Sequence, residues 1–130
     1  MDILMQLFHQ KEINKLLEIN PKLKYLKKEN TRFMIKFLSD LNCNNRVIRS
    51  IIIRNSMFLL RPCSEVDELI CIFKEYGVEN LDMAFYLYPE LLNKSAYEID
   101  NFYCKKRAEG YSNEDINNIL EVEPFLIDAK

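Results

Sequence analysis

One phrase returns along this chain at a nearly fixed interval. "INPKLKYL" begins at Ile19, "YPELLNKS" at Tyr88 and "EPFLIDAK" at Glu123, with a weaker echo, "NSMFLLRP", from Asn55. Pro21, Ser56, Pro89 and Pro124 stand 35, 33 and 35 residues apart. A period of that size points to stacked copies of one supersecondary unit.

Aligned on the proline, the residues before it share a pattern. Ile13, Leu16 and Leu17 fall opposite Ile48, Ile51 and Ile52, then Leu81, Ala84 and Phe85, then Ile116, Ile119 and Leu120. The spacing i, i+3, i+4 marks one face of an α-helix. Proline disfavours α geometry in the residue before it and has no N–H to donate, so each helix is predicted to end there. A short 3₁₀ turn would then carry an apolar pair, such as Leu91 and Leu92, into the core.

A second helix is predicted after each turn. "SEVD" at Ser64, "SAYE" at Ser95 and "SNED" at Ser112 place serine three residues before an acid, the pattern of a helix N-cap. Ser112 opens the first helix of the last repeat. The apolar sets that follow are Phe33, Met34, Phe37, Leu38 and Leu41, then Val66, Leu69, Ile70, Phe73 and Tyr76, then Ile99, Phe102, Tyr103 and Cys104. Gly77 and Gly110, 33 residues apart, are predicted to close the second helices in the left-handed conformation. The expected fold is an all-α helical-repeat solenoid of about 3.5 units in a single domain, 1–130, each unit a helix, a proline or 3₁₀ turn and a helix. The units span about 9–41, 42–77, 78–110 and 111–130, with "DILMQLF" a short helix over the N-terminal face.

Composition narrows the chemistry. The only two glycines are Gly77 and Gly110, so there is no Gly-rich phosphate loop. His9 is the one histidine, and Cys43, Cys63, Cys71 and Cys104 form no C-x-x-C pair, so no metal and no cofactor are expected and the thiols read as buried and reduced. Glu114 and Asp115 are explained by a helix start. No catalytic residue emerges, and the chain reads as non-enzymatic. No apolar run approaches the roughly 18–20 residues that span a bilayer. "MDILMQLFHQ" lacks the features of a leader, which places the expected protein in the cytoplasm.

Charge is unevenly distributed. Residues 1–61 hold 12 Lys/Arg and 5 Asp/Glu, a formal +7, whereas residues 62–130 hold 6 and 15, a formal −9. In "RVIRSIIIRN", Arg46, Arg49 and Arg54 fall on the side of a helix opposite Val47, Ile48, Ile51 and Ile52, and Ile53 lands among the arginines. Arginine forks bond phosphate oxygens bidentately. A second basic set is Lys22, Lys24, Lys27, Lys28, Arg32 and Lys36, of which the last three share a face if one helix spans them. Lys105, Lys106 and Arg107 are explained by the negative end of a helix dipole. Phe85, Tyr86 and Tyr88 offer either base stacking or packing. Glu79, Asp82, Glu90, Glu98, Asp100, Glu114, Asp115, Glu121 and Glu123 make the C-terminal portion an acidic surface, able to dock a basic protein.

The repeats resemble the mitochondrial transcription termination factor family, whose unit is a helix of leucines and isoleucines, then P-x-L-L, then a capped second helix ending near L-G. The matching stretches are "VIRSIIIRNSMFLLRPCSEVDELICIFKEYG" at 47–77, "LDMAFYLYPELLNKSAYEID" at 81–100 and "GYSNEDINNILEVEPFLI" at 110–127. The resemblance implies a left-handed superhelix with a basic concave side that binds double-stranded DNA or RNA without catalysis. This chain is shorter than the full organellar proteins, has no transit-peptide pattern, and is acidic overall, with a pI near 5.5. Two functions follow as expectations. One is a regulatory nucleic-acid binder using Arg46, Arg49, Arg54, Lys24, Lys28, Arg32 and Lys36. The other is a protein-binding adaptor or inhibitor using the concave or acidic C-terminal surface.

Overall fold

The computed structural model describes residues 2–129. All regular structure among them is helical, with no strand. The α-helices are α1 (Asp2–Met5), α2 (Gln10–Ile19), α3 (Lys28–Asp40), α4 (Asn45–Arg54), α5 (Cys63–Glu75), α6 (Leu81–Leu87), α7 (Ala96–Ala108) and α8 (Asn113–Val122). Four five-residue 3₁₀ turns, Pro21–Tyr25, Ser56–Leu60, Pro89–Asn93 and Pro124–Asp128, follow α2, α4, α6 and α8.

The four turns are built alike. The last α-helical bond is donated by Asn20, Asn55, Tyr88 and Glu123 to Leu16, Ile51, Ala84 and Ile119, at 2.7–2.9 Å. Each of these donors leaves helical geometry, with φ between −134° and −151°. Its carbonyl then accepts from the third residue on, Leu23, Phe58, Leu91 or Leu126. That inward residue is fully buried in the first three turns. Leu126 differs from expectation, staying half-buried where its counterparts are core. Ser56 forms the same turn as the prolines, so proline favours the geometry without being required for it.

The chain divides into two compact halves, Met1–Cys63 and Ser64–Lys130. The division falls within two residues of the charge boundary, so the N-terminal half carries +7 and the C-terminal half −9. The buried side chains of the N-terminal half come from α1 to α4, two 3₁₀ turns and the link between α1 and α2, among them Leu4, Phe8, Ile13, Leu16, Leu23, Met34, Leu38, Ile48, Ile51, Ile52 and Phe58. Asn20 adds a buried polar link, its Nδ2 donating to Ser56 Oγ at 3.5 Å. In the C-terminal half Phe73 meets Phe85 edge-on at 6.0 Å. Tyr76 stacks on Tyr103 with centroids 3.8 Å apart and planes 4° from parallel. Asn117 ties this pair down, accepting from the Tyr103 hydroxyl and donating to the Tyr76 carbonyl at 2.8 Å.

Helix ends follow the predicted chemistry at Ser95 and Ser112, each in a reciprocal capping box with Glu98 and Asp115. Ser64 is different. Helix α5 already begins at Cys63, and its first N–H donates to Asn30 Oδ1 at 2.7 Å, so Ser64 lies exposed within the first turn. Gly77 and Gly110 adopt φ of +87° and +102°, as expected of left-handed caps. A third cap had no glycine to announce it: Asn42, at φ 72°, closes α3 while Cys43 N–H reaches back to Leu38 at 3.0 Å. Asn42, Gly77 and Gly110 are spaced by 35 and 33 residues, the interval of the turns.

Two packing expectations are corrected. The buried stripe of α3 is Thr31, Met34 and Leu38, which rotates Phe33 outward to 47% exposure. Cys71 and Cys104 are exposed free thiols, because each lies across its helix from the stripes Leu69–Phe73 and Ile99–Tyr103. Cys43 is buried and Cys63 partly so.

Candidate functional site

Helix α4 begins at an Asn44 cap, whose side chain accepts from Val47 N–H at 2.9 Å. It buries Ile48, Ile51 and Ile52. At about 100° per residue the opposite face carries Arg46, Arg49, Ser50, Ile53 and Arg54. These five residues line one shallow depression of about 240 Å³. Ile53, 52% exposed, is its apolar lining residue.

The three arginines are not equivalent. Arg46 is exposed. Arg54 is exposed, and its Nε donates to the Ser50 carbonyl at 3.4 Å. Arg49 is engaged internally: Nη2 bonds Glu12 Oε2 at 2.7 Å and the guanidinium lies 5.5 Å from the centre of the Phe8 ring. Its Nε is buried without a hydrogen-bond partner. Glu12 also caps α2, accepting from His9 N–H at 3.0 Å. That backbone bond first, and Arg49 after it, hold the Glu12 carboxyl below its ordinary range despite partial desolvation. The geometry therefore gives Arg46 and Arg54 the outward-facing charge and Arg49 a tethering role.

A second cationic surface lies on α3. One helix spans Lys28, Arg32 and Lys36, all exposed. Lys24 stands apart on the 3₁₀ turn Pro21–Tyr25, its ammonium 5.1 Å from the Tyr25 ring centre. The residue missed in sequence is Phe33, which lines a depression with Lys27, Lys28, Glu29, Asn30 and Cys63. The signal was present, since Phe33 is out of phase with Met34 and Leu38 on a 3.6-residue helix.

Several of the remaining sequence candidates are engaged within the fold. Lys105, Lys106 and Arg107 occupy the last turn of α7. Lys106 pairs with Glu109 at 3.3 Å, and Arg107 lies over the Tyr76 ring at 5.5 Å. Phe85 is core, Tyr86 is exposed, and Tyr88 donates to Asp128, which also accepts from Lys94. Burial pushes the Asp128 carboxyl up, but the bonds from Lys94 and Tyr88 outweigh it and hold the group low. Among the described residues no group of His, Cys, Asp and Glu has the arrangement of a metal site. No helix among them is long and apolar enough to cross a membrane. No family model matches the sequence, and no curated protein or solved structure is significantly similar to it.

Proposed function

We propose that this chain is a non-enzymatic nucleic-acid-binding protein built as a termination-factor-like solenoid of about 3.5 helical repeats. It would engage DNA or RNA through the cationic faces of its N-terminal half. One observation carries the reading: a compact half with formal charge +7 displays Arg46 and Arg54 on α4, and Lys28, Arg32 and Lys36 on α3, away from the buried stripes. Arginine forks grip phosphate oxygens, and lysines add point charges along the backbone. Such contacts position a protein on a duplex without reading bases. Phe33, exposed beside Lys27 and Lys28, supplies an aromatic surface for an unstacked base. The recurrence of one turn geometry at intervals of 33–35 residues supports the repeat reading.

The test is anisotropy of labelled duplex DNA and of RNA across a salt series, comparing the wild type with Arg46→Glu/Arg54→Glu and Arg32→Glu/Lys36→Glu. Affinity is expected to fall steeply with salt, through counterion release, and to fall at least about tenfold in each pair. Absence of binding at about 50 mM salt overturns the reading. It would favour instead a protein-binding adaptor, for which the exposed Met83 and Leu87 on the acidic C-terminal half are the supporting observation.

A further inference from the structure

Helices α4 and α6 each precede a 3₁₀ turn, and their buried residues correspond at an interval of 33: Ile48, Ile51 and Ile52 with Leu81, Ala84 and Phe85. The opposite faces therefore correspond as well, and their charges are inverted. Where α4 has Arg46 and Arg49, the corresponding positions are Glu79, exposed in the loop just before α6, and Asp82 in the first turn of α6. Both faces also expose apolar side chains. Ile53 is 52% exposed on the first, and Met83 and Leu87 are 48% and 44% exposed on the second. An apolar patch rimmed by one sign of charge marks a protein-docking surface, and the rim selects a partner of opposite sign.

We infer that the partner of the α6 face is the α4 face of a second copy of this chain. Arg46 and Arg54 would meet Glu79 and Asp82, while Ile53 packs on Met83 and Leu87. Charge complementarity argues for this occupant: the chain carries both halves of the match, one in its +7 half and one in its −9 half. Like faces repel, which disfavours a two-fold pairing of α4 on α4 or α6 on α6. The contact pairs unlike faces, so two copies can form it reciprocally about a two-fold axis or successive copies can add head to tail. It also covers the arginines assigned to nucleic acid, so the two associations compete.

The test is sedimentation of the full chain over a concentration series up to about 200 µM, at about 50 mM and about 500 mM salt. The wild type is expected to associate at low salt and dissociate at high salt. Arg46→Glu/Arg54→Glu, acidic on both faces, and Glu79→Lys/Asp82→Lys, basic on both, are each expected to be monomeric with unchanged helical circular dichroism. Mixing the two variants one to one should restore association, since each then finds opposite charge on the other. A wild type that stays monomeric at low salt, or a mixture that fails to associate, overturns the inference. Glu79→Lys/Asp82→Lys keeps the arginines, so its nucleic-acid affinity reports separately on the proposed function.

Discussion

Glu12 and Arg49, 37 residues apart in sequence, are joined at 2.7 Å, and the second oxygen of the same carboxylate caps α2 through His9 N–H. One side chain thus fixes both the start of α2 and the guanidinium on α4. The Glu12 carboxyl is held below its ordinary value of 4.5, so its stabilising effect is fully present above that pH and is lost as pH falls through the lowered value. Glu12→Gln retains a capping oxygen and removes the charge. Its thermal midpoint should lie below that of the wild type at neutral pH, and the difference should close as pH falls below 4.5. A difference independent of pH would assign the effect to something other than the ionised carboxylate.

Asn30 is the cap of α5. Its Oδ1 takes the Cys63 N–H at 2.7 Å, and its Nδ2 reaches the carbonyls of Arg61 at 2.8 Å and Leu59 at 3.3 Å. Asn30→Ala leaves these backbone groups without their partner and should destabilise by about 1–3 kcal/mol. Ser64→Ala, on the serine that the local pattern marks as the cap, should stay within about 0.5 kcal/mol. Urea denaturation of both variants distinguishes the two capping schemes.

Asn30 and Ser64 also show what could be read in advance. Helix faces and turns were legible because they are local: a 3.6-residue stripe and a proline act within one turn of chain. The alignment of Ile48, Ile51 and Ile52 with Leu81, Ala84 and Phe85 describes residues that are all buried. The cap of α5 comes from a side chain 33 residues away, and Arg49 is tethered from 37 residues away, distances over which no local pattern speaks. Phe33 was misread because its hydrophobicity was weighted above its phase on α3. The arginine face with Ile53 within it was legible, since only helical phase was needed to draw it.

Asn42 escaped notice because asparagine, unlike glycine, has many other uses. It still occupies the left-handed region at φ 72°, where side chains other than glycine are strained. Asn42→Gly should therefore be neutral or stabilising. Gly110→Ala meets nothing within 4 Å of the added carbon, so its penalty is conformational alone, about 1 kcal/mol. A destabilising Gly110→Ala beside a neutral or stabilising Asn42→Gly is the expected result. A stabilising Gly110→Ala would contradict the left-handed assignment.

The third residues of the 3₁₀ turns should differ in weight. Leu23 and Leu91 are fully buried, and truncation of either to alanine should destabilise by about 2–5 kcal/mol. Leu126 occupies the same slot but is only half-buried, and Leu126→Ala should lose about 1 kcal/mol. Equal losses at Leu91 and Leu126 would mean that the last turn is as enclosed as the others.

Tyr88 links the third turn to the fourth through Asp128. Its hydroxyl donates to that carboxylate, and this bond, ahead of burial and the nearby negative charges, pushes the phenol up to about 12. A raised phenol stabilises the fold below its unfolded value of about 10. That contribution disappears as pH rises through the folded value. The Tyr88 signal can be isolated as the difference in tyrosinate absorbance between the wild type and Tyr88→Phe. It should titrate near 12 in the wild type and fall toward 10 in an Asp128→Asn background, where the carboxylate that accepts its hydrogen bond is gone. An unchanged midpoint in Asp128→Asn would assign the shift to burial instead and would release the fourth turn from this hydrogen bond.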